Sequence, residues 1–295
     1  MTPVIKQLVF SGGGPVILQM LGALQELEHR GFIDLSRVTS MYGTSAGGIL
    51  AVALALRFDW ETLNNYILKR PWQDVFGVTV QHLLHSYSNR GLFGKDVVIK
   101  CFKPLFDAKD LSLDITLQEF FEWSGVDLHL VAFDINAYCT VRVSHATHPD
   151  LCLMNAVQMT CALPVLLSPV LLDGQCLMDG GVACNYPLHF CLEDGHDPKE
   201  VLGFKNHYAS SDISSQTVGE QSTLLDYLLN FLFKAVFRLR QDPPTIPHEV
   251  VCDTACLTFD LLSRAISSAE VRTQLFDQGK QHATAFLQDR VQELD

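Results

Sequence analysis

Two periodicities of apolar positions alternate along the first 56 residues. Residues 5–10, which end in the apolar run Leu8-Val9-Phe10, predict a strand buried on both faces, and Val38–Tyr42 predicts a second strand. Between them, apolar side chains recur at helical spacing, at Ile17, Met20, Leu21, Leu24 and Leu27. The almost wholly apolar residues 46–56 predict a second, buried helix. This strand–helix–strand–helix order predicts a mostly parallel sheet covered by helices.

The pattern continues with helices and then with strands. Amphipathic spacing over residues 60–125 predicts helices, interrupted by a loop near 89–91. Short apolar runs predict strands at Leu128–Ile135, Thr140–Ser144 and Val201–Phe204, and a short helix at Met154–Ala162. Two apolar runs flank Asp173-Gly174, which predicts a β-hairpin. We therefore expect an α/β fold of three layers, α/β/α, with a mainly parallel central sheet.

The last third of the chain has a mainly helical pattern. Residues 206–222 are rich in serine, aspartate and glutamine and predict a loop, and Asp242-Pro243-Pro244 interrupts the helical pattern that follows. The segment 224–240 is aromatic and apolar and ends in basic residues. It suits either a core helix or a helix lying in a membrane interface.

Composition narrows the class of protein. The 295 residues are 48% hydrophobic, enough for a sizeable core, and no repeat or long linker divides them. We therefore expect one domain over residues 1–295, with a core at about 5–205 and a helical C-terminal part at about 220–295. The formal net charge of −12, from 21 basic and 33 acidic residues, argues against a nucleic-acid-binding protein.

The chain carries no pattern typical of a secreted protein. Nine cysteines without a C-x-x-C pair, and the lack of an N-x-S/T sequon, are typical of an intracellular protein with reduced thiols. Residues 1–10 lack the basic and apolar regions of a signal peptide. We expect a cytoplasmic protein and leave peripheral association with membranes open.

A G-x-S-x-G motif lies between the second predicted strand and its helix. It reads Gly43-Thr44-Ser45-Ala46-Gly47, the setting of a nucleophile elbow. Gly43 and Gly47 remove side chains that would clash in so tight a turn, and Ser45 stands at a helix N-terminus that favours negative charge. The motif predicts Ser45 as a nucleophile; the alternative is a turn with a helix-capping serine.

Three consecutive glycines follow the first predicted strand. Gly12, Gly13 and Gly14 present backbone N–H groups with no side chain in the way, as an oxyanion hole requires. A dinucleotide fingerprint would need a glycine where Ile17 stands, and a phosphate-binding P-loop would need a Gly-Lys-Ser/Thr sequence. The remaining alternative is a glycine turn that binds nothing.

An aspartate follows the predicted hairpin, in the sequence Met178-Asp179-Gly180-Gly181. A serine nucleophile needs a base, and Asp179 beside two glycines can approach another backbone closely enough to take the proton from Ser45. An Asp-Gly-Gly sequence alone is more often a turn.

These motifs, in this order, resemble those of the patatin-like phospholipase family. The similarity rests on SGGG at 11–14, GTSAG at 43–47 and MDGG at 178–181, with TCALP at 160–164 and NYP at 185–187 between and after them. Three motifs in the same order make a specific match, which extends over about two thirds of the chain.

The resemblance implies a catalytic dyad rather than a triad. Ser45 would be the nucleophile, Asp179 its base, and Gly12, Gly13 and Gly14 the lining of the oxyanion hole. It also implies hydrolysis of fatty acyl esters of the phospholipase A type, on a membrane lipid or lipid aggregate, with no metal and no organic cofactor.

The sequence departs from the family pattern at one place. Family members usually read G-G-G-x-[Lys/Arg]-G, whereas this chain has Val16 and Ile17 at the last two positions. The three glycine amides are retained, but the basic side chain that would contact a phosphate is not. We therefore expect neutral esters to be tolerated relatively better than by other members.

Two other functions remain open from the sequence. The first is an α/β-hydrolase with a Ser-Asp-His triad, because His189, His196, His207 and His248 follow Asp179 in the right order. The second is a patatin-like module with weak or no activity that binds membranes or a protein partner. The altered Val16-Ile17 pair favours the second, and the intact Ser45 and Asp179 speak against it.

Overall fold

A mixed, mostly parallel sheet forms the centre of the fold. The computed structural model describes residues 3–208, 217–224, 226–228, 230, 231, 234, 244–254 and 258–292. The strands in these ranges are β1 (Gln7–Phe10), β2 (Ser40–Thr44), β3 (Gly91–Phe93), β4 (Asp127–Asp134), β5 (Cys139–Val143), β6 (Val165–Leu167), β7 (Val170–Leu172), β8 (Gln175–Asp179), β9 (Val201–Tyr208) and β10 (Glu249–Thr254).

Hydrogen-bonded neighbours in this sheet follow the order β10-β9-β1-β2-β4-β8-β7, and β5 also pairs with β4. Along β4, β2 and β8 share one edge and β5 takes the other. The five strands from β10 to β4 are parallel to one another, and β5, β7 and β8 join in antiparallel pairs. Strands β3 and β6 form a separate parallel pair. The predicted α/β class with a mainly parallel sheet is therefore confirmed.

Helices flank the sheet. Those whose bounds lie within the described residues are α1 (Ile17–His29), α2 (Ala46–Ala55), α3 (Trp60–Lys69), α4 (Val80–Asn89), α5 (Lys95–Asp107), α6 (Leu117–Ser124), α7 (Leu153–Cys161), α8 (Leu188–Glu193), α9 (Phe259–Ser267) and α10 (Ala269–Gln292). In β1, Leu8 and Phe10 face the large core under α1 and α2, whereas Val9 faces a smaller core under α8. Both faces of β1 are therefore buried, which explains why Leu8, Val9 and Phe10 are apolar in succession.

The C-terminal helix α10 packs along α1 and shares its core. Phe276 is buried there, and Gly22 and Gly279 let the two backbones meet. A Cβ on Gly22 would lie 2.0 Å from the Phe276 carbonyl oxygen, and one on Gly279 would lie 1.9 Å from the Gln19 carbonyl oxygen. Small residues at both crossing points allow an unusually close helix pair.

The structure confirms most predicted elements and corrects some. The hairpin around Asp173-Gly174 is formed by β7 and β8, and the 60–125 region contains four helices. Strands β3 and β6 were not predicted, because each is only three residues long and, unlike β7, is not joined to its partner by a hairpin turn. The helical prediction was wrong for β10, whose Val250 and Val251 lie in a strand paired with β9 at the sheet edge. β-branched residues such as valine are typical of strands.

Three predictions fall partly outside the described residues. They concern 209–216 of the predicted loop, much of the 224–240 segment, and the Asp242-Pro243 pair. The described members of the 224–240 segment are helical. Among all described residues, no helix combines the length and apolarity needed to cross a bilayer.

Candidate active site

Ser45 occupies a sharp turn between β2 and α2. Its backbone lies at φ 55° and ψ −129°, a conformation that non-glycine residues seldom adopt. A Cβ on Gly43 would lie 2.6 Å from the Gly47 carbonyl oxygen, and one on Gly47 would lie 2.6 Å from the Phe10 carbonyl oxygen. Both glycines of the motif are thus needed for the backbone to pass, as the elbow interpretation expects.

A buried threonine on α7 fixes the elbow from behind. The Ser45 N–H donates to Thr160 Oγ1 at 2.9 Å, and that hydroxyl donates to the Val131 carbonyl oxygen in β4 at 2.6 Å. Thr160 is fully buried. Sequence reasoning missed this role, because no local pattern shows that residue 160 meets residue 45.

Asp179 reaches Ser45 because β2 and β8 end at neighbouring positions on β4. Thr44, the last residue of β2, is paired with Val131, and Asp179, the last of β8, is paired with Ala132. Since β5 takes the opposite edge of β4, β2 and β8 lie on one edge and meet end to end. The Ser45 hydroxyl donates to Asp179 Oδ2 at 2.6 Å.

The Asp179 carboxylate is enclosed by protein. Its side chain is almost fully buried, and the Gly181 N–H donates to Oδ1 at 2.8 Å. Burial raises the pKa of Asp179 from 3.8 to about 6, and the hydrogen bonds from Ser45 and Gly181 oppose this rise. The group is therefore mostly ionised at neutral pH, yet more basic than an exposed aspartate.

The glycine loop lies beside this pair and is held by two asparagines. Asn185 Nδ2 and Asn206 Nδ2 both donate to the Gly12 carbonyl oxygen, at 3.1 and 2.5 Å. The Gly12 N–H donates to the Asn185 carbonyl oxygen at 2.9 Å, so it is not available to an oxyanion, contrary to the expectation for this residue. Gly13 and Gly14 have positive φ angles, and within the described residues their N–H groups have no acceptor.

A largely apolar cavity of about 340 Å³ opens at the dyad. Ser45, Asp179 and Gly14 contribute to its lining. The other walls come from α2, α5, α7, α9 and the loop before α4, and they include Ile49, Phe76, Val97, Phe102, Leu262 and Ile266. Such a cavity accepts an apolar ligand while a few polar groups act on one end of it. The contribution of α9 was not predicted.

The histidines that a triad would need lie elsewhere. Each contacts a different partner: His189 with Cys184, His196 with Tyr42, His207 with Asp253 and His248 with Arg290. In the described part of the chain, no histidine forms a hydrogen bond with Ser45 or Asp179. The geometry therefore favours the dyad.

No metal site emerges from the residues that the structure describes. Among them, no three histidine, cysteine, aspartate or glutamate side chains are grouped so as to hold a metal ion. Val16, at the position where the family usually has a basic residue, is fully buried in the main core. Ile17 is partly buried against the same core.

The mixed sheet, the strained serine and the buried aspartate together define a patatin-type α/β fold. The sequence model of the patatin family, described as "patatin-like phospholipase", matches residues 8–192. The match covers more than half of the chain, and the chain belongs to this family.

Individual relatives are distant. The chain is 25% identical over 190 residues to probable lipid hydrolase 463L of Invertebrate iridescent virus 6, covering 64% of this chain and 63% of that one. It is 26% identical over 212 residues to the uncharacterized protein YqhO of Bacillus subtilis, covering 66% of this chain and 69% of that one. This chain thus spans somewhat less than two thirds of the length of 463L.

One solved structure supports the fold. VipD from Legionella pneumophila superposes with a TM-score of 0.57 and 18% identity, over 97% of this chain and 67% of the VipD chain. At this identity the similarity concerns the fold alone.

Proposed function

We propose that this protein is a lipid acyl hydrolase of the phospholipase A type, with Ser45 as nucleophile and Asp179 as its base. The observation that carries the proposal is the 2.6 Å hydrogen bond from the Ser45 hydroxyl to Asp179 Oδ2, at the wall of an apolar cavity. A nucleophile within hydrogen-bond reach of a base is the first requirement of covalent catalysis.

Acylation begins when Ser45 Oγ attacks the carbonyl carbon of the ester. The hydroxyl proton passes to Asp179 Oδ2, and the carbonyl oxygen becomes an oxyanion that accepts hydrogen bonds from the N–H groups of Gly13 and Gly14. When the tetrahedral intermediate collapses, the bond to the alkoxide breaks and Asp179 returns the proton to the departing alcohol. The fatty acyl group is then esterified to Ser45.

Deacylation repeats the same proton transfers with water. Asp179 takes a proton from the attacking water molecule, a second tetrahedral oxyanion forms, and the proton returns to Ser45 Oγ as the fatty acid leaves. The same carboxylate therefore serves as base and as acid in both halves of the reaction.

Two further features support ester hydrolysis. The raised pKa of Asp179 makes its carboxylate a better proton acceptor than an exposed aspartate while leaving it ionised at neutral pH. Ser45 also immediately precedes α2, whose N-terminal dipole stabilises negative charge developing nearby.

The cavity supports a fatty acyl substrate. Its lining is dominated by aliphatic and phenyl side chains, and its volume of about 340 Å³ lies in the range of small-molecule sites. The relative 463L carries the name probable lipid hydrolase, which agrees with the same substrate class.

A fluorophosphonate probe tests the assignment of the nucleophile. We expect the wild-type protein to be labelled on Ser45, and labelling to be lost in Ser45→Ala and Asp179→Asn. Ser263 also lines the cavity, so Ser263→Ala is the matched control and should label as the wild type does. A label mapped to another residue would contradict the proposal. Absence of both labelling and hydrolysis, in a folded protein that still binds lipid vesicles, would favour the non-catalytic module.

A further inference from the structure

Helix α4 exposes the apolar side of an amphipathic pattern. None of its residues is buried. Val80, Leu83, Leu84 and Tyr87 follow the spacing i, i+3, i+4, i+7 of one helix face, yet they are 68%, 57%, 71% and 95% exposed. Val78, just before the helix, is 52% exposed. These five residues form what we call the α4 surface.

The α4 surface is continuous with the rim of the cavity. Phe76 and Val78 precede the helix and line the cavity, as do Leu92 and Phe93 after it. The ring of His82 on α4 packs at 5.5 Å from that of Phe93. A ligand that covered this surface would therefore lie beside the entrance to the dyad.

The charge of this region is opposite to that of the whole protein. Residues 75–95 contain no aspartate or glutamate and two basic residues, Arg90 and Lys95, although the formal net charge of the chain is −12. An exposed apolar helix that carries no carboxylate and is followed by Arg90 favours a partner that is both anionic and apolar. A second copy of this chain suits it less well, because a symmetric dimer through this surface would bring one Arg90 towards the other.

We propose that the α4 surface docks this protein onto an anionic phospholipid bilayer, with the apolar side chains inserted at the headgroup boundary and Arg90 beside the headgroups. The proposal rests on the proposed function, because a cavity that hydrolyses lipids must receive them from a bilayer at its entrance. Docking would bring the acyl ester to the cavity without the lipid crossing water.

The test measures binding to vesicles in a Ser45→Ala background, so that no lipid is consumed. The vesicles are an equimolar mixture of phosphatidylcholine and phosphatidylserine, with pure phosphatidylcholine for comparison. Leu84→Glu/Tyr87→Glu places two carboxylates on the α4 surface. The matched control is Val4→Glu/Trp123→Glu, at side chains 44% and 42% exposed that precede β1 and β4, at the end of the sheet away from Ser45.

We expect the α4 variant to bind mixed vesicles about tenfold or more weakly, and the control to remain within about twofold of its parent. The parent should also bind mixed vesicles better than pure phosphatidylcholine, and less well as salt increases. A milder variant, Leu84→Ser/Tyr87→Ser, keeps the test valid if the charged variant does not fold.

Equal vesicle binding by the parent and both α4 variants would overturn the proposal. The proposal would also be overturned if the parent did not bind vesicles but formed a dimer, and if the α4 variants were monomeric. The α4 surface would then bind a second copy of the chain. A third result separates the two proposals: the parent binds vesicles through α4, but the protein with Ser45 intact hydrolyses no ester. That result would support the docking surface and contradict only the proposed function.

Discussion

The Ser45 hydroxyl donates to the Asp179 carboxylate because their strands, β2 and β8, end at consecutive positions along one edge of β4. The two residues are 134 positions apart in the sequence. Their contact therefore depends on sheet register, since a shift of β8 by one residue would turn the Asp179 side chain to the other face.

This contact predicts the effect of removing either partner. In Ser45→Ala and Asp179→Asn, we expect kcat/KM on a short chromogenic ester to fall by about a thousandfold or more, because the two groups act as a unit. Thermal unfolding should show that both variants remain folded. Alanine at His189, His196, His207 or His248 should retain most of the activity. A histidine variant as inactive as Ser45→Ala would favour a Ser-Asp-His triad over the dyad.

The raised pKa of Asp179 predicts an acidic limb in the pH–rate profile. The base must be ionised, so kcat/KM on a soluble ester should rise through about pH 6 and then level off. The profile is measured at constant ionic strength. A limb near the ordinary aspartate value, or a limb above pH 7, would assign the titration to another group.

The same pKa makes a prediction about stability. Because the folded state holds the proton more tightly than the unfolded chain, Asp179 favours folding most below pH 4, and this contribution is lost as pH rises to about 6. The free energy of unfolding of Asp179→Asn minus that of the wild type should thus increase by about 3 kcal/mol over this interval. Urea denaturation of both proteins at several pH values measures this difference. The contributions of other titrating groups cancel, because they are the same in both proteins. A flat difference would contradict the burial argument.

Much of this site follows from local sequence, and the rest does not. The strand, tight turn and helix around Ser45 are visible because their spacing and glycines are contiguous. The supports at Thr160, Asn185 and Asn206 are not, because each meets the site through a long-range contact that no periodicity shows. The sequence also could not show that the Gly12 N–H is already bound to Asn185.

The substituted position at Val16 illustrates the same limit. The sequence predicts a lost phosphate contact, whereas the structure shows the side chain fully buried in the core. Introducing arginine there would bury an unpaired charge, so it is not a clean test of headgroup choice. The expected tolerance of neutral esters stays a prediction, and comparing a phospholipid with a matched diacylglycerol in the wild type tests it directly.

Thr160 predicts how strongly the elbow depends on its support. Thr160→Val leaves the Ser45 N–H and the Val131 carbonyl oxygen without their buried partner, which should lower the free energy of unfolding by about 1–3 kcal/mol. We also expect a lower kcat as Ser45 loses its fixed position. Thr160→Ser retains the hydroxyl and should recover most of the kcat. If Thr160→Val and Thr160→Ser were equally active, the hydroxyl would have no part in positioning Ser45.

Helix α9 predicts acyl-chain selectivity. Leu262 lines the cavity from this helix, so Leu262→Trp should fill part of its volume and exclude long chains while leaving the dyad intact. We expect kcat/KM for a long-chain ester to fall about tenfold or more relative to that for a butyrate ester, because only the longer chain needs the filled volume. Ser267→Trp is the matched control on the same helix, since Ser267 is exposed and does not line the cavity. An equal loss on both esters would indicate a general disturbance of the site, and an unchanged ratio would show that the acyl chain binds elsewhere.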